Sequence, residues 1–367
     1  MKHALLPMGW NSDHTRMKSS GCGKFFSTVE RQKPKSKLVM KNITTFALMS
    51  AFASVAATAA VTDPVGYVTH TVTSGVFNLV GPTVHQPKAV ASSFDDTSGG
   101  TALVDSTTDF DAVLTAGTTY VLQITSGAAS GLVQEVTSWS GNTINTPQDL
   151  TTLGLLDDDA YQVRKASTLS DLFGAANEAG LQEGDITTAD VIWVPTGSGA
   201  FAKFYYSPAV VFPPAAAGWK TSGGADAANQ PIVYTDSIFI ERRGAGPLDI
   251  VLTGEVELND TALYLENGVF NYVSNVFPVG STLGNSGLEN SVLEGDITTA
   301  DVVWLPDGAG GYAKYYYSPE VVFPPAAAGW KTSGGADATN TPLTSGFIIE
   351  RRGTTDTAPI SPPPYSL

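Results

Sequence analysis

The chain of 367 residues carries 35 acidic and 20 basic side chains, distributed unevenly. The first 60 residues hold nine Lys and Arg against two acids, which leaves 11 basic and 33 acidic residues in 61–367 and a net charge there of 11 − 33 = −22. Such a charge repels nucleic acid and anionic lipid, so it argues against a protein that holds phosphate backbones with clustered Lys and Arg.

The amino-terminal 60 residues have the pattern of a targeting sequence. Residues 1–39 are basic and precede a second possible start, Met40, so we interpret them as an upstream start-codon artefact or a disordered, unusually long n-region. Residues 40–60 resemble a signal peptide, with an apolar centre at Phe46–Phe52 and small residues at Ala57-Thr58-Ala59. The apolar centre falls short of the roughly 20 residues that span a bilayer, so we expect no transmembrane anchor. The sequence predicts export to the extracellular space, cell surface or periplasm.

We expect amino-terminal sequencing of the exported protein to begin at Ala60 or Val61. The small residues Ala57 and Ala59 occupy the positions that a signal peptidase pocket accepts. Recovery of intact residues 1–39 from the extracellular fraction would contradict this prediction.

The chain has one cysteine, Cys22, which precedes the expected mature start. The exported protein is therefore expected to lack disulfides, thiolate metal sites and a cysteine nucleophile. Its stability must come from burial of apolar side chains, for which about 300 residues are ample. We expect no cofactor.

An internal repeat dominates the sequence. Residues 183–227 recur without a gap at 294–338, 111 positions later, with 37 of 45 residues identical. The match continues in Ile-Glu-Arg-Arg-Gly at 240–244 and 349–353, where the spacing is two residues shorter. The repeat also extends towards the amino terminus, where residues 75–78 match residues 268–271 and residues 167–169 match residues 281–283.

The first copy contains an insertion. Phe77 lies 107 residues before Gly184, whereas Phe270 lies 25 before Gly295. The sequence therefore predicts two homologous units, 61–258 and 259–353, with an inserted module at about 89–166 in the first. A Pro-rich tail, 354–367, follows and is expected to be polyproline-like.

The local patterns indicate an all-β fold: two tandem β-sandwich or barrel-like units, the first carrying a small inserted β-barrel or sandwich. Asn267-Gly268 between alternating runs predicts a hairpin, and Ser140-Gly141 predicts another in the insert. One short helix is expected at Leu169–Phe173, ended by Gly174. The Val-Phe-Pro-Pro segments at 211–218 and 322–329 are expected to be extended connectors, since paired prolines donate no ladder hydrogen bonds. Further strands are predicted at Val191–Val194, Phe201–Tyr206, Ile238–Arg242, Leu248–Leu258, Tyr120–Thr125 and Tyr161–Lys165.

Aromatic residues recur at matching positions of both copies. Exposed Tyr and Trp can bind sugars or partner proteins, whereas packing in the core is the alternative that we favour. The Phe-to-Tyr exchanges at 201/312 and 204/315 favour packing, since they show that the shared scaffold requires no hydroxyl there. The candidate ligand-binding residues are Trp193, Tyr205, Trp219, Trp304, Tyr316 and Trp330.

Two polar motifs also recur. The loops at 184–190 and 295–301 read Gly-Asp-Ile-Thr-Thr-Ala-Asp, but their spacing does not match a helix-loop-helix calcium loop. Asp and Thr capping their own backbone amides is the favoured interpretation, so no metal site is predicted. Arg242-Arg243 and Arg351-Arg352 suggest either a carboxylate-binding fork or, preferably, solvent-facing pairs with nearby acids.

Signatures of enzymes are missing from the sequence. Residues 61–367 contain two histidines, His70 and His85, and no H-E-x-x-H pair, G-x-S-x-G elbow or phosphate-binding G-x-x-x-x-G-K loop. A carboxylate pair is conceivable among 33 acids, but nothing singles one out. We therefore predict no catalytic residue.

Several motifs together resemble a known family. They are Asp63-Pro64-Val65-Gly66-Tyr67-Val68, Leu172-Phe173-Gly174-Ala175-Ala176-Asn177-Glu178-Ala179-Gly180-Leu181, Tyr205-Tyr206-Ser207, Gly218-Trp219 and Arg242-Arg243-Gly244. The sequence resembles a family of uncharacterised exported proteins of verrucomicrobial type over most of 61–367. The resemblance implies export and no assigned activity, and this chain departs from it by its second partial copy.

The leading hypothesis from sequence is a secreted or surface-associated, non-enzymatic β-protein with a structural, adhesive or matrix role. The alternative is a carbohydrate-binding module accessory to polysaccharide use, which would show a row of exposed Trp or Tyr on a flat face. A carboxylate-based polysaccharide-active enzyme is the least favoured. Expected partners are an extracellular polysaccharide or a surface or matrix protein, and not nucleic acid.

Overall fold

Antiparallel strands build almost the whole of the described chain. The computed structural model describes residues 64–365 except 198, 213 and 321–326, and these belong to one compact unit. The all-β prediction is confirmed. The predicted upstream segment 1–39, the signal peptide 40–60 and its cleavage site lie outside the described residues.

The first part of the chain contributes two strands and then enters the insert. Its elements are β1 (Val65–Val72), β2 (Phe77–Val80), β3 (Lys88–Ser93), β4 (Asp96–Gly99), β5 (Ala102–Val104), α1 (Phe110–Val113), β6 (Tyr120–Ile124), β7 (Val133–Glu135), β8 (Ser138–Ser140), β9 (Thr143–Asn145), a 3-10 turn (Leu150–Leu153) and β10 (Ala160–Lys165). The insert forms two four-stranded sheets, β3-β10-β6-β7 and β4-β5-β9-β8. The predicted Ser140-Gly141 hairpin is confirmed, since β8 pairs with β9.

The insert has a hydrophobic core of its own. Side chains from both sheets meet there, including Phe94, Leu103, Ile124 and Tyr161. Its two ends lie side by side, because β3 pairs with β10 and Lys88 lies opposite Arg164. This geometry is what an insertion into a loop requires, while its independence as a module stays a prediction.

The chain then completes a first five-stranded sheet. The elements are β11 (Ser167–Thr168), α2 (Leu169–Phe173), β12 (Val191–Pro195), β13 (Phe201–Ser207), β14 (Gly218–Thr221), β15 (Pro231–Ile232), β16 (Ile238–Glu241) and β17 (Leu248–Glu255). The strand order is β14-β13-β12-β16-β2, and β17 pairs with β1. The predicted helix α2 is confirmed: Thr168 and Asp171 form a capping box, and Gly174 ends the helix at φ 89°.

The last part of the chain builds a second five-stranded sheet. Its elements are β18 (Thr261–Ala262), β19 (Phe270–Ser274), 3-10 turns at Leu283–Asn285 and Leu288–Asn290, β20 (Val302–Pro306), β21 (Tyr312–Ser318), β22 (Gly329–Thr332), β23 (Gly346–Glu350) and β24 (Ile360–Ser361). The order β19-β23-β20-β21-β22 repeats the order β2-β16-β12-β13-β14 of the first sheet. The division into two homologous tandem units nevertheless stays a prediction.

The two five-stranded sheets are joined by a short ladder between residues 235–237 and β19. The Ser237 amide donates to the Tyr272 carbonyl (3.1 Å), and the Ser274 amide donates to the Thr235 carbonyl (2.9 Å). Gly81 packs so closely on Ser274 and Ser345 that a Cβ there would clash with backbone. The segment before β16 is therefore tied to the end of β19.

The predicted hairpin at Asn267-Gly268 is wrong. β19 pairs with β23, and the run before the turn pairs with 357–361 instead. Gly268 alone of the two turn residues has a positive φ, 71°, whereas a type I′ turn needs positive φ at both. The Asn271 side chain also accepts a hydrogen bond from the Glu266 amide and donates one to the Glu266 carbonyl, so neither backbone group is free for a strand ladder.

The polyproline-like tail also needs correction, because it includes strand β24. Ile360 and Ser361 lie between prolines and keep their own amides, so they can pair with β18 at a sheet edge. Beyond them, the Tyr365 hydroxyl donates to the Glu257 carbonyl at 2.9 Å. The tail is thus packed against the fold as far as Tyr365.

Candidate functional site

The six predicted aromatic residues divide between the two faces of the five-stranded sheets. Trp219 and Trp330 are 1% and 2% exposed and lie in the two hydrophobic cores. They present no ring to a ligand, which agrees with the packing alternative. The half-buried residues Trp193, Tyr205, Trp304 and Tyr316 lie on the opposite, outer faces.

Strand register explains this division. Trp193 lies opposite Lys203 on β13, and Tyr205, two residues further, points to the same side. Trp219 pairs with Tyr206 and therefore points to the core side. In the second sheet Trp304 and Trp330 occupy the same registers, opposite Lys314 and Tyr317.

The outer-face tryptophans are fixed by polar and aromatic neighbours. Trp193 Nε1 donates to Glu241 Oε2 at 3.0 Å, and the Lys203 ammonium lies 3.8 Å from the ring centre. Phe77 meets the Trp193 ring edge-on, with ring centres 5.4 Å apart. The same arrangement recurs at Trp304, whose Nε1 donates to Glu350 (3.2 Å) and whose ring carries the Lys314 ammonium at 3.8 Å.

This packing limits what the outer faces can bind. A sugar stacks on an open ring face, but a lysine already covers one face of Trp193 and of Trp304 in a cation–π contact. Trp193 and Trp304 therefore do not offer the two free ring faces expected of a row of sugar-binding tryptophans.

The arginine pairs are partly buried rather than solvent-facing, which corrects the preferred interpretation. Arg242 is buried and bonds the carboxylate of the equally buried Asp190. Asp190 also accepts from the amides of Gln182, Arg243 and Gly244 at 2.6–2.9 Å. Pairing of the arginines with acids was predicted from the sequence. The burial was not predicted, because Asp190 lies 52 positions before Arg242 and the sequence does not show that the two are in contact.

The second sheet repeats this ion pair. Arg351 bonds Asp301, which also accepts from the amides of Leu293 and Arg352. Arg243 and Arg352, by contrast, pair with Glu241 and Glu350 near the surface. The two buried ion pairs therefore hold each sheet to the loop that carries its aspartate. All four guanidinium groups are paired with acids of this chain, so they are not free to bind a ligand carboxylate.

The repeated acidic loops cap themselves, as predicted. Asp185 Oδ1 accepts from the amides and hydroxyls of Thr187 and Thr188 at 2.6–3.0 Å. These hydrogen bonds hold the pKa of Asp185 at about 2. Asp296 repeats the pattern with Thr298 and Thr299. In the part of the chain that the structure describes, no group of three His, Cys, Asp or Glu is placed to hold a metal ion.

Both histidines of 61–367 are enclosed. Burial lowers the pKa of His70 to about 4. His85 bonds Arg164 and lies 3.4 Å from the Glu257 carboxylate. Burial alone would raise the pKa of Glu257, but His85, Arg164 and the Asn259 amide outweigh it and hold the pKa below its ordinary value. This cluster, invisible in sequence because its members lie far apart, joins the insert to the first sheet.

A more exposed feature is the connection between β13 and β14. Residues 208–217 contain no charged side chain, and every described residue among them is exposed. Val211 and Phe212 are 92% and 90% exposed. Two backbone hydrogen bonds of 2.9 Å between Val210 and Ala215 close the tip. The prediction of an extended connector at 211–218 is wrong, because the pairing of Val210 with Ala215 closes a turn whose apolar tip projects into solvent. Most of the second predicted connector, 322–329, lies outside the described residues.

Comparisons with known proteins identify no relative: no family model, no curated protein and no solved structure matches this chain. Among the described residues, no helix is long and apolar enough to cross a membrane.

Proposed function

We propose that this chain is an exported, non-enzymatic binding protein with an adhesive or matrix role, which attaches to apolar surfaces of partner proteins through hairpin loops. The proposal rests on the exposed apolar loop at 208–217. Contiguous exposed apolar side chains of this kind mark interaction surfaces in soluble proteins. The signal-peptide pattern and the family resemblance support export.

The loop is suited to docking because its conformation is held before any partner binds. The Val210–Ala215 ladder fixes the base of the tip, and Pro214 restricts the backbone within it. A preorganised loop loses less conformational entropy on binding, so more of the apolar burial contributes to affinity.

The amino-acid sequence of this loop occurs twice in the chain. Residues 319–328 repeat 208–217 with one exchange, Glu320 for Ala209, and the flanking strands pair in the same register. Two loops on one chain would raise the avidity for a repetitive partner. The net charge of −22 in 61–367 disfavours an anionic lipid surface, so an apolar protein surface is the expected partner.

Carbohydrate binding remains the alternative, at Trp193, Tyr205, Trp304 and Tyr316. The lysines over both tryptophan rings weigh against it.

The test compares Phe212→Asp, Phe323→Asp and the double variant with the unchanged protein. We expect the binding of labelled protein to the surface of the producing cells to fall in each single variant and to be largely lost in the double variant. Binding of the unchanged protein should persist in about 1 M salt, because apolar contacts are not screened. The measurement is bound label against concentration.

Tyr67→Asp is the matched control, since Tyr67 is 76% exposed on β1, which belongs to a different sheet from the strands β13 and β14 that flank the loop. It should leave binding unchanged, and all variants should unfold within about 0.5 kcal/mol of the unchanged protein. Undiminished binding by the double variant would refute the proposal. The proposal would also be refuted if the unchanged protein bound protein-free phosphatidylcholine vesicles as strongly as it bound cells and the double variant lost this binding.

A further inference from the structure

A cleft of about 430 Å³ opens where the insert meets the junction of the two five-stranded sheets. The insert contributes β7, the first sheet contributes the β12–β13 connection and residues 233–236, and the last part of the chain contributes residues 262–273. The volume lies in the range of small-molecule sites. Such sites commonly lie where separate structural parts meet, as here.

The cleft is negatively charged. Its lining residues include Glu135, Asp236 and Glu266, and none of its described lining residues is Lys or Arg. No hydrogen bond or ion pair joins the carboxyl group of Glu135, Asp236 or Glu266 to a described residue. The backbone of Asp236 is held through its amide, which donates to the Val233 carbonyl, and through the bridge to Val273.

The walls are largely apolar and aromatic. Tyr272 lies on one side, held edge-on against Phe201 and Phe239 with ring centres 4.9 and 5.4 Å apart. Phe270 and Val133 add apolar surface. Tyr264 also lines the cleft, and its hydroxyl donates to Asp356 at 2.7 Å. Apolar walls together with unpaired carboxylates are a combination that binds organic cations with an apolar body.

We propose that this cleft binds a small organic cation with an apolar body, whose ammonium group pairs with Asp236 and whose body packs against the apolar walls. The sign of the charge excludes anions, and the apolar walls disfavour a bare metal ion, which needs several oxygen ligands. The site is distinct from the exposed loop at 208–217, so the two proposals stand or fall separately.

The titration of Asp236 supports this assignment. Asp236 keeps accessible surface, yet the protein atoms packed around its carboxyl group raise its pKa to about 7. The other titratable groups that face the cleft are Glu135, Glu266, Tyr264 and Tyr272. A cation stabilises the ionised carboxylate, so binding should strengthen as the pH rises through about 7.

The second sheet supplies a natural replacement for this residue. Aligning Ile240 with Ile349 places Ser345 at the position equivalent to Asp236. Asp236→Ser therefore introduces the side chain that the corresponding backbone already carries, and Asp236→Asn keeps the shape of the carboxyl group. Both variants are expected to fold.

The experiment measures the affinity of the full chain for 2-phenylethylammonium by calorimetry, with neutral 2-phenylethanol as the matched probe. We expect the ammonium to bind about tenfold more tightly than the alcohol, and about tenfold more weakly to either Asp236 variant. Its affinity should rise about tenfold between about pH 6 and pH 8, as follows from a pKa near 7, while the probe stays protonated. The variants should lack this dependence.

Asp249→Asn, at an exposed residue bonded to Thr71, is the control and should change nothing. Equal affinity for ammonium and alcohol would overturn the proposal. So would unchanged ammonium affinity in both Asp236 variants. A folding defect would appear separately, as lost cooperative unfolding in the absence of any probe.

Discussion

Replacing Trp219 by alanine should lower the free energy of unfolding by about 3–5 kcal/mol, and Trp330→Ala should do the same. Both rings lie in cores, so each change loses apolar burial and leaves a cavity that the packed neighbours fill only partly. Denaturant unfolding of each variant measures the loss. Trp193→Ala is the control, and it should cost less because Trp193 is only half-buried.

A finer comparison separates ring packing from hydrogen bonding. Trp219 Nε1 donates to the Gly174 carbonyl at 2.8 Å, whereas Trp330 Nε1 has no partner among the described residues. Trp219→Phe should therefore cost about 1 kcal/mol more than Trp330→Phe. If either alanine variant unfolded within about 0.5 kcal/mol of the unchanged protein, the burial of that ring would be refuted.

Secondary structure in this chain could be predicted well where the signals are local. The helix at Leu169–Phe173 has its cap and its terminating glycine within seven residues, and the strands have β-rich runs bounded by Gly and Pro. The four-residue helix α1 was missed, because so short a segment shows no helical period. Strand partners were harder to predict: a turn sequence at Asn267-Gly268 indicates a reversal, but not which strand each arm will join.

The faces of the strands could not be assigned from sequence, for a reason visible in the structure. The outer face of the first sheet carries Phe77, Trp193, Phe201 and Phe239, so both faces are rich in large apolar residues. Alternation then does not distinguish the core side from the outer side. The pattern therefore left open whether Trp193 or Trp219 was the buried one.

The candidate sites were less predictable still, because they depend on contacts between distant residues. The acidic cleft gathers Glu135, Asp236 and Glu266 from three separate segments. The apolar loop at 208–217, by contrast, is visible in the sequence as ten residues without a charge. It was not predicted as a binding site because its prolines were interpreted as the mark of a connector.

Replacing Asp190 by alanine should lower the free energy of unfolding by about 3–5 kcal/mol. The change removes the acceptor for the buried Arg242 guanidinium and for the amides of Gln182, Arg243 and Gly244. An unpaired buried charge is far more costly than a buried pair. Asp301→Ala should have a similar effect in the second sheet, because Asp301 and Arg351 repeat the pair.

A double-mutant cycle tests whether the loss comes from the orphaned charge. In Asp190→Ala/Arg242→Met the buried guanidinium is gone, so the double variant should be more stable than the sum of the two single losses predicts, by about 1–3 kcal/mol. Glu241→Gln, which alters the half-exposed partner of Arg243, is the control and should cost no more than about 1 kcal/mol. Strict additivity would mean that Asp190 stabilises the fold through the three backbone amides rather than through Arg242.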